Sequence, residues 1–108
     1  MLYEMRVYYC VPGRLAALNK RFSEVTMKMW EKHGIRPVGF FTDYIGDNNH
    51  KLTYFLAWES LEERQTKWNA FQADPDWVKA RAASEADGPI VSHSANSILA
   101  PTAYSPLK

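Results

Sequence analysis

The stretch Leu2-Tyr3-Glu4-Met5-Arg6-Val7-Tyr8-Tyr9-Cys10-Val11, closed by Pro12-Gly13, decides the fold. Tyr3, Met5, Val7 and Tyr9 alternate with Leu2, Glu4, Arg6, Tyr8 and Cys10. A period of two in a Tyr- and Val-rich run predicts a strand. The second set carries a charged pair at its middle, so that face is expected to meet water or another polar surface. Pro12-Gly13 ends the strand. A helix is then expected from Arg14 to His33, because Leu15, Leu18, Phe22, Val25 and Met29 recur at three-four spacing. Gly34 stands where a left-handed helix end favours glycine.

Downstream, Pro37 opposes a helix and favours extended backbone before it. Arg36 to Ile45 reads as a second strand, residues 46–50 as a turn cluster, and Lys51 to Glu59 as a third strand antiparallel to the second. Ser60 and Glu63 have the spacing of a capping box and start a helix that runs to Ala73. Asp74-Pro75 restarts the chain as N-cap and first helical residue of a shorter helix to Glu85. Asp87-Gly88-Pro89 ends it, and Ile90 to Leu99 is the last strand. The order β-α-β-β-α-β, with the second helix broken, is an α+β, ferredoxin-like arrangement. Its helices cover one sheet face only. The other face, expected to carry Glu4, Arg6 and Tyr8, would pack on a second subunit's sheet. One domain is expected over residues 1–108, with a core from 2 to 99 and an irregular tail from 100 to 108.

The 108 residues include 13 Lys plus Arg against 12 Asp plus Glu, a formal charge of +1, so no basic stripe points to nucleic acid. Four Trp, six Tyr and five Phe exceed what a core this small needs, and rings in excess suit a pocket or an interface. The single cysteine, Cys10, forms no internal disulfide and suits a reducing compartment. No run reaches membrane-spanning length and no apolar leader precedes the first strand, so a cytoplasmic protein is expected.

Tyr3-Glu4-Met5-Arg6-Val7-Tyr8 with Pro12-Gly13-Arg14 resembles the start of NIPSNAP-family domains. Ala57-Trp58-Glu59-Ser60-Leu61-Glu62-Glu63-Arg64, then Trp68, Phe71 and Asp74-Pro75-Asp76-Trp77, resembles their later part. Met5 departs from the leucine usual there. The resemblance, from Leu2 to Leu99, implies a dimeric α/β barrel in which two sheets close on each other. It implies no particular reaction, since the wider superfamily includes cofactor-free monooxygenases, haem-binding enzymes and plain ligand-binding proteins, and fold does not settle function.

Each candidate residue has two readings. His33 is a proton-transfer group near Arg36 and Tyr44, or a helix-terminal imidazole on the dipole and free carbonyls, which its position favours. His93 is a base, or a hydrogen-bonded strand histidine. His50 sits on a hairpin tip. The three histidines lack metal spacing, so no metal or cofactor is expected. Trp58, Trp68 and Trp77 are an aromatic box or core, with helical spacing favouring core for Trp68. Trp30, beside the apolar stripe, and Trp58, at a strand end, are candidate ligand contacts with Tyr8 and Arg36. Glu4 and Arg6 are an anion anchor or, preferably, a cross-strand or cross-dimer ion pair inside the barrel, at the dimer interface. Cys10 reads as a small hydrophobe. No phosphate loop, nucleophile elbow or paired-acid motif is present.

Two functions follow on equal terms. One is a homodimer binding an apolar or aromatic small molecule between sheet and helices. The other is a cofactor-independent, monooxygenase-like enzyme acting on an aromatic or carbonyl compound, with His33 or His93 as base and Tyr44 or Trp30 positioning the ring. A dimeric scaffold protein ranks third.

Overall fold

The computed structural model describes residues 1–108. Four strands, β1 (Leu2–Cys10), β2 (Arg36–Thr42), β3 (Lys51–Trp58) and β4 (Val91–Leu99), form one antiparallel sheet in the order β2-β3-β1-β4. Between β1 and β2 runs a single rod: α1 (Leu15–Arg21), a π-helical turn (Phe22–Thr26) and α2 (Met27–His33). Helices α3 (Leu61–Ala73) and α4 (Pro75–Ser84) join β3 to β4. No helix is long and apolar enough to cross a membrane.

The local signals act as their chemistry dictates. Gly34 ends α2 at φ 70°, and the Ile35 amide donates to the Trp30 carbonyl at 2.9 Å. The Ser60 hydroxyl accepts from the Glu63 amide at 3.1 Å, while the Glu63 carboxylate accepts from the Glu59 amide at 3.1 Å. Asp74 caps α4 through the Asp76 amide at 2.9 Å. Its carboxylate also takes Lys32 Nζ at 2.7 Å and His33 Nε2 at 2.8 Å, so one side chain ties the end of α2 to the start of α4. β2 stops at Thr42, short of the expected Ile45, where Asp43 and Asp47 turn back on Lys51 Nζ at 3.6 and 3.3 Å.

The π turn changes which side of the rod faces the sheet. It inserts an extra residue into the helical repeat. Leu18, Arg21, Phe22, Thr26, Met29 and Trp30 are buried, whereas Val25 is only half-buried. Trp30, expected at the stripe's edge, is therefore central to the core with Tyr54, Phe22 and Phe71.

The sheet faces require a correction. Glu4, Arg6 and Tyr8 lie on the helix-covered face, not on the open one. Glu4 is fully buried and bonded to Arg64 of α3, and the Arg6 guanidinium lies 4.5 Å from the Trp68 ring of α3. Period two separates two faces without saying which is covered. Here the charges are interior because Arg64, Trp58 and Asn96 supply their partners. The open face carries Met5, Val7 and Tyr9 of β1, Phe41 of β2, Phe55 of β3 and His93 of β4.

Candidate functional site

Two polar clusters occupy the layer between sheet and helices. The first centres on Glu4. Its carboxylate accepts five hydrogen bonds: from Arg64 Nε (2.8 Å) and Nη2 (3.0 Å), Arg6 Nη1 (2.9 Å), Asn96 Nδ2 (2.9 Å) and Trp58 Nε1 (3.1 Å). Burial alone would push this carboxyl up, but the bonds from Arg64, Asn96 and Arg6, with the charge of Arg6, hold it down at about 2. Arg6 continues outward: its Nε donates to the Tyr54 hydroxyl at 2.9 Å, and Tyr54 donates to the Tyr8 hydroxyl at 2.8 Å. Burial, then the neighbouring Tyr8, pushes the Tyr54 phenol well up, so it stays protonated and serves as a donor. The cluster is saturated. Every buried charge in it has partners, which is how a low-dielectric interior tolerates charge.

The second cluster lies at the π turn and is not saturated. The Arg21 side chain is 6% exposed. Its Nη1 reaches Ser84 Oγ and Glu85 Oε1, each at 3.3 Å, but its buried Nε has no partner. The indole nitrogens of Trp30 and Trp77 are likewise buried and unpartnered. Arg21, Trp30 and Trp77 line one small cavity of about 20 Å³, with Tyr8, Phe22, Thr26, Phe71 and Gln72 completing its wall. A larger cavity of about 240 Å³ adjoins it, bounded by Arg6, Tyr8, Arg21, Gln72, Trp77 and Arg81, with no acidic residue in its wall. Tyr8, Arg21, Gln72 and Trp77 are common to both. Arg21 also stacks on Trp77, its guanidinium carbon 5.6 Å from the ring centre.

The structure brings together four of the residues weighed from sequence, Tyr8, Trp30, Trp77 and Arg6, around the two cavities, and holds His33, His93, Tyr44, Arg36 and Trp58 apart from them. His33 is held on Asp74. His93 stacks on Tyr9 at 4.5 Å on the open face, and its Nδ1 is 2.8 Å from Ser92 Oγ. Tyr44 is 98% exposed in the β2–β3 loop. Arg36 pairs at the surface with Glu59 and Glu63, at 3.4 and 3.3 Å. Trp58 is buried and committed to Glu4. Cys10 is buried, which pushes its thiol up. Arg21, as a charged residue, reads from sequence as lying off the apolar stripe, but it is buried. It stands three residues after Leu18 and four before Val25, inside the apolar spacing, and that was its signal.

A four-stranded antiparallel sheet with helices on one face, and a cavity between the two layers, defines the subunit of the dimeric α/β barrel class. The NIPSNAP family model matches residues 3–106, and the chain belongs to the NIPSNAP family. It is similar to a NIPSNAP family protein of unknown function from Agrobacterium tumefaciens, with 28% identity, 100% of this chain and 94% of that one covered, and a TM-score of 0.86. An uncharacterized NIPSNAP domain protein from Burkholderia xenovorans is 24% identical over 98% of this chain and 99% of its own, at a TM-score of 0.84. A mutant of MhuD with two manganese protoporphyrin IX molecules bound per active site shares the fold at 17% identity, with 94% of each chain covered and a TM-score of 0.63. No curated protein matches the chain.

Proposed function

We propose that this protein is a cytoplasmic homodimer that binds one small organic molecule with an aromatic body in the cavity between sheet and helices of each subunit. The observation that carries this reading is the pair of adjoining cavities sharing Tyr8, Arg21, Gln72 and Trp77. Two aromatic side chains and a planar guanidinium there offer flat surface at low entropy cost, and the polar groups fix orientation. No histidine lines either cavity, so neither general-base catalysis by His33 or His93 nor histidine ligation of a porphyrin is the favoured use of this space.

Dimerisation through the open face is supported by Met5, Val7, Phe55 and Phe41, an uncovered apolar row across three strands; Phe41 is 58% exposed. Two copies related by a two-fold axis would cover it on both subunits at once. Native mass spectrometry of the protein as purified tests both parts. A dimer with bound extra mass is expected; a bare monomer contradicts the reading. Val7→Asp, at the centre of that face, is expected to weaken the dimer at least about tenfold, the effect of an unpaired charge in a buried apolar contact. An unchanged dimer constant in sedimentation equilibrium would place the interface elsewhere.

A further inference from the structure

We infer that the ligand is an aromatic carboxylate whose acid group is received by the hydrogen-bond donors of Arg21, Trp30 and Trp77. This rests on the binding reading above and specifies its ligand class. Three observations carry it.

The first is donor excess. Arg21 Nε, Trp30 Nε1 and Trp77 Nε1 are all donors, all buried and all without a partner, and their residues line one cavity. Buried polar groups are paired in the great majority of cases, so three orphans at one place call for a common acceptor. A water molecule, with two lone pairs, satisfies two of them. A carboxylate has two oxygens and about four acceptor positions.

The second is charge. Arg6, Arg21 and Arg81 line the larger cavity and no acid does; Glu4 and Glu85 pair with them from outside its wall, which leaves one positive charge in excess. Glu4 is committed to Arg6 and Arg64, and Glu85 lies 3.3 Å from Arg21 Nη1 and 3.8 Å from Arg81 Nε. An anion fits this balance, and a cation does not.

The third is shape. The donor cavity, at about 20 Å³, has room for about one water-sized group, enough for one carboxylate oxygen, while the adjoining 240 Å³ gives room for the rest of the acid and a single ring beside Tyr8 and Trp77. The π turn at Phe22–Thr26 places Arg21 and Trp30 on the same side of the rod, and such turns recur at functional sites.

The test is calorimetric titration of the purified dimer with benzoate, benzamide and inorganic phosphate, read alongside tryptophan fluorescence. Benzoate is expected to bind saturably, and benzamide at least about tenfold more weakly, because charge-assisted hydrogen bonds are about twice as strong as neutral ones. Arg21→Met is expected to weaken benzoate at least about tenfold, and Arg14→Met, which removes a surface pair with Asp87, to leave it unchanged. Should Arg21→Met not fold, the more exposed Arg81→Met carries the test, with a smaller loss in the same direction. Equal affinity for benzamide and benzoate would overturn the acid group while sparing the pocket. Phosphate binding as tightly as benzoate would overturn the aromatic body. Silence from all three probes would overturn the aromatic carboxylate, while extra mass retained on the purified protein in native mass spectrometry would still sustain the binding reading.

Discussion

The Glu4 cluster and the Arg21 cluster lie in the same layer and share Tyr8 as a boundary. They differ in saturation. Around Glu4, five donors meet one carboxylate, and nothing is left over. Around Arg21, three buried donors meet no acceptor. A buried ionic group that is fully bonded fixes side chains and joins elements, here β1, β3, α3 and β4. A buried group that is only half bonded costs stability, and that cost is tolerable where a ligand offsets it. Charge alone does not separate the two clusters. The count of unmet hydrogen bonds does.

The largest effect expected from this contrast comes from Glu4→Ala. It leaves two guanidinium groups facing each other without their carboxylate, and breaking a buried pair this way costs about 3–5 kcal/mol. Urea unfolding measures it; a loss below about 1 kcal/mol would mean the cluster is not structural. Arg6→Glu acts on the same cluster and should destabilise the fold, rather than selectively loosening a dimer.

Acid titration follows. The Glu4 carboxyl is held at about 2, below its ordinary 4.5. A carboxyl lowered on folding contributes stability above its unfolded value and loses it as pH falls. The contribution is therefore complete above about pH 4.5 and fades toward pH 2, by about 3 kcal/mol in all. Glu4→Gln should flatten that part of the stability profile. A variant that keeps the full slope would assign it to other carboxylates, Asp74 first, since Lys32 and His33 hold its carboxyl well below the usual range.

A finer comparison uses the indoles. Trp58→Phe and Trp77→Phe each trade a buried indole for a phenyl ring. Only Trp58 loses a hydrogen bond to a charged acceptor. The Trp58 variant should be less stable than the Trp77 variant by about 2 kcal/mol, the worth of a hydrogen bond to a charged group. Equal losses would show that the Trp77 nitrogen has a partner in solution, and the contrast between the clusters would fail.

Much of the fold was legible. Alternation marked β1, Pro12-Gly13 closed it, Gly34 stopped α2, and Ser60 with Asp74 started α3 and α4. These are local signals, set by backbone sterics and orphan amides. What escaped was non-local. Two strand faces can be told apart by alternation, but which one helices cover depends on partners elsewhere: Arg64 sixty residues on, and Asn96 on the last strand. The π turn was equally invisible, because a one-residue insertion in the helical repeat leaves every residue apolar or polar as before and changes only where it points. That shift carried Trp30 into the core and Arg21 with it. The proposed site was legible in part for the same reason. Tyr8, Trp30 and Trp77 could be named as aromatic candidates, while Arg21 joined them only once α4 packed against the rod.

The most direct measurement is a high-resolution crystal structure of the protein as purified from its source, with the cavity at Arg21, Trp30 and Trp77 examined for bound density. An acceptor-bearing ligand, within hydrogen-bond distance of Arg21 Nε and at least one of the two indole nitrogens, is the predicted result. Those three donors found bonded to protein atoms, with the space between them closed, would contradict it.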